Sequence, residues 1–264
     1  PDLWIWLGDN IYGDTENMDL FRKKYERQEA VPQYASFRRA VPIYGIWDDH
    51  DYGVNDGDKF YSKKKESRDL LFDFLDVPSD HPAWKREGAY QSYTFGSKNK
   101  KVKLLLLDGR YFRDPLEEDQ NSDQRYLPNE EGDILGEAQW TWLEKELSHS
   151  DAQIHIIACG IQFIPTEQLY EKWANFPKAR QRFFDLLTKT KPKNPILLSG
   201  DRHIAECSQI NIPGFQHPIY EITASGMTHT WSNPAATEPN PYRLGDFIVS
   251  KNYGLMNIDW NQKP

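Results

Sequence analysis

Hydrophobic positions in this chain fall into short unbroken runs, separated by stretches with helical spacing. Leu3 to Leu7 is fully apolar and reads as a strand buried on both faces, as does Val41 to Trp47 with Pro42 at its start. Between them, Asp14 or Thr15 can cap a helix to about Ala30, with Leu20, Phe21, Lys24 and Tyr25 along a partly apolar face. A second helix is expected from about Lys59 to Leu75, turning Leu70, Leu71, Phe74 and Leu75 toward the core. Tyr90 to Phe95 and Val102 to Leu107, joined by a polar turn over 96–101, read as a hairpin. Further helices are expected at Glu137 to Ser148 and Lys178 to Thr188, and strands at Ile154 to Cys159, Pro195 to Ser199, Ile219 to Thr223 and Tyr253 to Ile258. The acidic, irregular stretch from Arg113 to Glu131 is long enough for a functional or mobile lid. Alternating strands and helices, with no repeat or linker, predict one α/β domain with an antiparallel component in its middle and tail.

Composition narrows the function. The 264 residues include 14% aromatics and nine Trp, which argues for a packed core over disorder. The mean hydropathy of -0.78 makes the surface polar and rich in loops. A net charge of -8 disfavours a nucleic-acid binder, which needs cationic surface to displace counterions. The same charge repels phosphate unless bound cations reverse the local sign. Lys63 to Lys65 and the lysines near 98–101 read as solvated surface. Cys159 and Cys207 read as buried thiols, too few for a disulfide framework or a cysteine-rich zinc site. No apolar run approaches the ~20 residues that cross a bilayer. The chain starts at Pro1 and enters a strand almost at once, so we expect it to lack its natural beginning and any targeting information there.

Three of the apolar runs end in ionisable residues: Gly8-Asp9, Asp48-Asp49-His50-Asp51, and Gly200-Asp201-Arg202-His203. A buried strand ending in a carboxylate is unfavourable unless a cation or hydrogen bonds satisfy the charge. Ligands of α/β sheets gather outside the carboxyl ends of the strands, where Asp9, Asp49 (or Asp48), Asp108 and Asp201 all fall. Convergence on a metal is the expectation. Carboxylates suit Ca, Mg or Mn, while His203 and the nearby phenol of Tyr12 favour iron; Tyr12 also reads as a core tyrosine. Two ions sharing carboxylates can clamp a phosphoryl group and lower the pKa of a bound water toward ~7. His50 then reads as a general acid, and Arg110 and Arg113 as phosphate donors or, alternatively, as ion-pair partners of Asp108 and Asp114. His229, in a glycine-containing loop after a strand, is a candidate for the pocket wall. The chain has neither a Gly-x-Ser-x-Gly elbow nor a phosphate-binding loop ending in Gly-Lys-Ser/Thr, the usual support for serine hydrolase and NTPase readings.

Segment 8–14, segment 47–53 with Asn55, Leu107-Asp108-Gly109-Arg110 and segment 200–206 together resemble the PhoD-like alkaline phosphatase D family of calcineurin-like metallophosphoesterases. The resemblance implies a four-layer αββα sandwich of two mixed sheets, with a dinuclear metal centre between them that hydrolyses phosphomonoesters and often phosphodiesters. It implies iron and calcium, with Mn, Mg or Zn as alternatives, a small-molecule phosphate ester as partner, and a periplasmic or secreted location. By position, Asp9 resembles the bridging ligand, Tyr12 a phenolate ligand, and Asp201 and His203 the last ligand pair. Asp49 and Asn55 compete for one ligand slot, His50 matches the catalytic histidine, and Arg110 matches an arginine facing substrate. The family's Ser-Cys element would lie upstream of Pro1, so the expectation is one metallophosphoesterase domain over 1–264 without its N-terminal segment. Two rivals stand beside this: a phosphodiesterase or phospholipase-D-like enzyme for lipid or nucleotide diesters, and a metal-binding relative without turnover. The intact 48–51 segment argues against the second, because a structural metal has no need of His50.

Overall fold

Strands β1 (Trp4–Leu7) and β2 (Ile43–Ile46) pair in parallel with Leu7 beside Ile46, so both chains leave this small sheet at the same edge. The computed structural model describes residues 1–120, 125–233 and 236–261 and contains a second, larger sheet. The remaining strands are β3 (Gln91–Ser97), β4 (Lys100–Leu106), β5 (Glu117–Glu118), β6 (Tyr126–Leu127), β7 (Ile154–Cys159), β8 (Pro195–Ser199), β9 (Ala205–Ile210), β10 (Ile219–Ala224) and β11 (Arg243–Ile248). Seven of them form a mixed sheet in the order β11-β9-β10-β8-β7-β4-β3. Its centre, β4-β7-β8-β10, is parallel; β3 at one edge and β9 and β11 at the other are antiparallel.

The period-two alternation of side chains along the central strands divides the core. Leu105, Leu107, Ile157, Cys159 and Leu197 face helices α5 (Gly136–Ser148) and α6 (Pro177–Thr190), where they meet Trp140, Leu143, Phe183 and Leu187. Their neighbours Leu104, Leu106, Ile156 and Ala158 face the other way. There they join Trp6 and Ile46 of the small sheet with residues of α1 (Met18–Glu29) and α4 (Lys64–Phe74). Tyr44 of β2 packs on Tyr93 and Phe95 of β3, with ring centroids 4.5 and 5.2 Å apart. The layers therefore run helix, sheet, sheet, helix, as expected. The smaller sheet consists, among the described residues, of two parallel strands. Among those residues no helix is long and apolar enough to cross a membrane.

Several local expectations change. Helix α1 is capped by Asn17, whose side chain accepts from the Leu20 N–H, while Asp14 turns to His50 instead. Helix α2 (Pro32–Ala40) has no fully buried residue and so no apolar stripe to announce it. Helix α4 starts five residues later than expected, the chain from Lys59 to Lys63 forming turns. Strand β9 buries Glu206 and Ser208, and β11 is a largely exposed edge, so neither carries the apolar signal of a strand. Residues 253–258 are not a strand; Tyr253 and Leu255 lie exposed. The suspected lid segment contains the short β5–β6 hairpin, and its residues 121–124 fall outside the described residues.

Phe183 is fully enclosed by Phe163, Trp173 and Phe184, at centroid distances of 4.9, 5.1 and 5.5 Å. Phe183→Ala is expected to lower unfolding free energy by about 3–5 kcal/mol in a denaturant titration. A loss below ~1 kcal/mol would show that this face of the sheet is not the main core.

Candidate metal centre

Because β1 and β2 are parallel neighbours and β8 ends beside β1, three carboxylate-bearing turns leave the sheets together. A Cβ on Gly8 would lie 2.4 Å from the Asp48 Cβ, and one on Gly200 would lie 2.2 Å from the Leu7 carbonyl oxygen. Only glycine permits both approaches. The price is visible in the backbone as well: Asp9, Asp14, Asp201 and His203 adopt positive φ of 52, 45, 63 and 55°. Such conformations are sparsely populated for these residue types and gather where a site over-determines the chain.

Two groups have ligand atoms all within 4.8 Å of one another, Asp9–Asp49–His50 and Asp48–Asp49–Asp201. Asp49 is common to both, where the resemblance pointed to Asp9 as the shared residue. The Tyr12 hydroxyl lies 2.8 Å from His203 Nε2 and 3.4 Å from Asp9 Oδ2, and His203 Nε2 lies 3.6 Å from the same oxygen. His229 is exposed at the rim, its ring 4.4 Å from that of Tyr12. Asn55 is exposed and its amide donates to Asp56; of the two competing candidates, Asp49 is the one inside the groups. An open groove of about 1910 Å³ reaches Asp9, Tyr12, Asp201 and His229 from solvent.

The electrostatics fit a cation. Burial, then the charge of Asp49, pushes the Asp9 carboxyl up to about 7, and the same two causes push Asp201 up to about 8. Asp48 is raised by burial against the pull of Arg110. At Asp49 burial is outweighed by Arg110, His50 and the N–H groups of Asp56 and His50, so its carboxyl lies below the usual value. Burial and Asp9 raise the Tyr12 phenol, which therefore needs a nearby cation to ionise at neutral pH. Asp9 Oδ1 and Asp48 Oδ2 are buried without a hydrogen-bond partner. Orphaned carboxylate oxygens facing a crowded anionic pocket are what an ion would satisfy.

His50 is oriented by a partner that the sequence reading passed over. Its Nδ1 lies 2.7 Å from Asp14 Oδ1, and despite burial Asp49, Asp9 and Asp14 raise its pKa above the ordinary value. Asp14 sits in Gly13-Asp14 after the first strand, a turn signal that also suited a helix cap.

Arg110, which the resemblance leads one to expect facing substrate, is fully buried. Its Nε and Nη2 donate to Asp48 Oδ1 at 2.9 and 2.7 Å, and Nη1 to Glu171 at 2.5 Å. Glu171 also pairs with buried Arg113 at 2.9 Å. Both arginines are thus ion-paired, with Asp48 and Glu171 in place of the expected Asp108 and Asp114. Asp108 stays out of the metal-sized groups: it accepts from the Trp47 indole and the N–H groups of Ala89, Arg110 and Tyr111. Nothing in the sequence around Glu171 marks it. Arg110→Met leaves buried Asp48 without its counter-ion and Glu171 with Arg113 alone, and is expected to destabilise the fold by about 3–5 kcal/mol, read from denaturant midpoints. A fold of unchanged stability would return Arg110 to the substrate.

In metal-stripped protein, the folded carboxyls of Asp9 and Asp201 hold protons to about 7 and about 8, against 3.8 ordinarily. Between those limits the unfolded chain binds fewer protons than the folded one, so stability falls as pH rises through the window. Glu221, buried in the large sheet and raised to about 7, adds to this decline without being part of the site. Tm is expected to drop from about pH 5 to about pH 8 after chelation, and Mn²⁺ should flatten the drop. A decline that Mn²⁺ leaves untouched would count against a cation at these residues.

Three comparisons bear on this arrangement. Alkaline phosphatase D of Bacillus subtilis (strain 168) is 22% identical over 254 residues, covering 80% of this chain and 42% of that protein. The structure of PhoD is similar with a TM-score of 0.71 and 19% identity, over 95% of this chain and 57% of that one. Purple acid phosphatase PPD1 from yellow lupin (Lupinus luteus) seeds is similar with a TM-score of 0.57 and 14% identity, over 94% and 40%. The chain spans about half the length of these relatives, and at such identities the solved structures speak to the fold. The PhoD-like phosphatase family matches residues 1–256, nearly the whole sequence, and the chain belongs to that family.

Proposed function

We propose that this chain is a metal-dependent phosphoesterase acting on small-molecule phosphate esters at a two-ion centre. The observation that carries the reading is Asp49, common to two metal-sized groups, with His50 and Asp14 beside it. Asp9, Asp48, Asp49 and Asp201, with Tyr12 and His203, are the residues we assign to holding the ions. The carboxylates suit Mn, Mg or Ca, and the phenol–imidazole pair suits iron. When bound, the ions supply Lewis acidity and a water ionised near neutral pH.

The chain's own groups supply the rest. Asp14 takes the hydrogen bond from His50 Nδ1, which leaves Nε2 as the nitrogen that carries the transferable proton. The surrounding carboxylates keep that ring protonated to higher pH, as a donor to the leaving-group oxygen requires. Arg110 acts through Asp48, holding one carboxylate oxygen so that the other faces the pocket. His229 lines the approach on the solvent side, where the ester's organic part would lie. Asn55 supports Asp49 indirectly, through Asp56.

Turnover of p-nitrophenyl phosphate and of bis-p-nitrophenyl phosphate by the Mn²⁺-loaded chain tests the reading and ranks monoester against diester. Asp9→Asn and Asp201→Asn are expected to abolish both activities; full activity in both variants would end the proposal. His50→Asn is expected to lower kcat by ~10²–10⁴-fold on an alkyl ester. The loss should be smaller on p-nitrophenyl phosphate, whose leaving group needs no proton. Equal losses on the two substrates would remove His50 from the acid role.

A further inference from the structure

Asp51 is completely buried and stands in neither metal-sized group. Its Oδ1 accepts the backbone N–H of Asp9 at 3.1 Å and that of Asp48 at 2.7 Å. Its Oδ2 accepts the N–H of Asn10 at 3.3 Å and the Asn10 side-chain amide at 2.5 Å. One carboxylate therefore grips both the turn after β1 and the turn after β2. Those turns carry Asp9 and the Asp48–Asp49 pair.

The grip comes where the sheet stops helping. Ladder pairing between β1 and β2 ends at Leu7 and Ile46, two residues before Asp9 and Asp48 and three before Asp49. Beyond that point, bonds across the gap come from side chains and from the later loop: Asn10 Nδ2 to the Ile46 carbonyl at 3.2 Å, and the Gly13 N–H to the His50 carbonyl at 2.9 Å. Asp51 is itself held on the short helix α3 (Asp49–Tyr52), where the Tyr52 N–H bonds the Asp48 carbonyl at 2.9 Å. Its position thus follows the β2 turn, and three of its four accepted bonds, from the Asp9 N–H and the Asn10 N–H and amide, transmit that position to the β1 turn.

We infer that Asp51 is a positioning residue for the metal centre: it sets the separation of Asp9 from Asp48 and Asp49, and so decides whether their carboxylates can share ions. This rests on the phosphoesterase reading only in requiring that the site bind cations. Asp51→Asn preserves shape and volume but presents an NH₂ group to donors that converge on two oxygens. The mismatch falls on the turn spacing, since the apolar core makes no use of that oxygen.

The test titrates Mn²⁺ into the chelator-stripped full chain by calorimetry, with the Tm of the stripped protein measured alongside. Asp51→Asn is expected to weaken Mn²⁺ binding by ~10–100-fold, the range seen when groups behind metal ligands are changed. Leu147→Ala, on the α5 side of the large sheet, is the control: it should lower Tm and leave the Mn²⁺ affinity within about twofold of the parent chain, since it removes core packing only. Asn10→Ala removes one of the four donors and should weaken binding by a smaller factor, and it decides the matter if Asp51→Asn does not fold. Affinity unchanged in Asp51→Asn, or in Asn10→Ala where that variant must stand in, would overturn the inference. So would a loss in Leu147→Ala as large as in Asp51→Asn. A parent chain that binds no Mn²⁺ overturns the phosphoesterase reading first, and this assignment with it.

Discussion

The constraint on which the rest depends is the crowding of Asp9, Asp48, Asp49 and Asp201 into one partly dry pocket at the carboxyl ends of parallel strands. Two like charges ~5 Å apart repel by roughly 3 kcal/mol at an effective dielectric constant near 20. Four such groups cannot all be ionised there without compensation. Arg110 neutralises part of the charge from behind through Asp48, and the fold leaves the remainder facing the open groove. Glycines at 8 and 200, the positive φ angles around them and the buried Arg110–Glu171–Arg113 chain all serve to hold that unfavourable arrangement in place.

Strand-end carboxylates in this chain meet three different fates, and donor supply separates them. Asp108 and Asp51 each accept four hydrogen bonds from buried N–H groups, which leaves them tying elements together. Asp48 spends one oxygen on Arg110 and keeps the other unpartnered. Asp9 and Asp201 have few donors, and burial raises their carboxyls as it does those of Asp48 and Asp51. Aspartates gathered at this rim thus divide into supports and ligand candidates according to how many N–H groups their neighbours aim at them.

The aromatic and imidazole side of the pocket follows a different rule. Tyr12 stands between the rings of His50 and His229, each 4.4 Å away, and bonds His203. These groups come from three loops and the short helix α3. Their packing closes one wall of the site and brings nitrogen and phenol groups to carboxylates that alone would suit only hard cations. His50 gains its orientation from Asp14 in the same turn that carries Tyr12, so one segment places both rings.

Much of this was legible in the residues alone. Unbroken apolar runs located β1, β2, β7 and β8, helical spacing located α1, α5 and α6, and the ionisable residues at the run ends located Asp9, Asp49, His50, Asp201 and His203. Such signals are local: a buried strand must be apolar, and a charge at its end must lie at the rim. The silent elements, α2, β9 and β11, lack a buried apolar stripe; Glu171 carries no mark in its own segment, and the segments of Asp14 and Asp51 do not tell which groups these carboxylates hold. A guanidinium after a strand end reads equally well as a phosphate donor or an ion-pair partner. Only the folded chain, which brings Asp48 and Glu171 to Arg110 from 62 and 61 residues away, decided that it is buried and paired. Sequence determines which groups must come to the rim, because burial penalises charge wherever it occurs; tertiary structure decides which of them are satisfied there, because hydrogen-bond donors are supplied by neighbours in space.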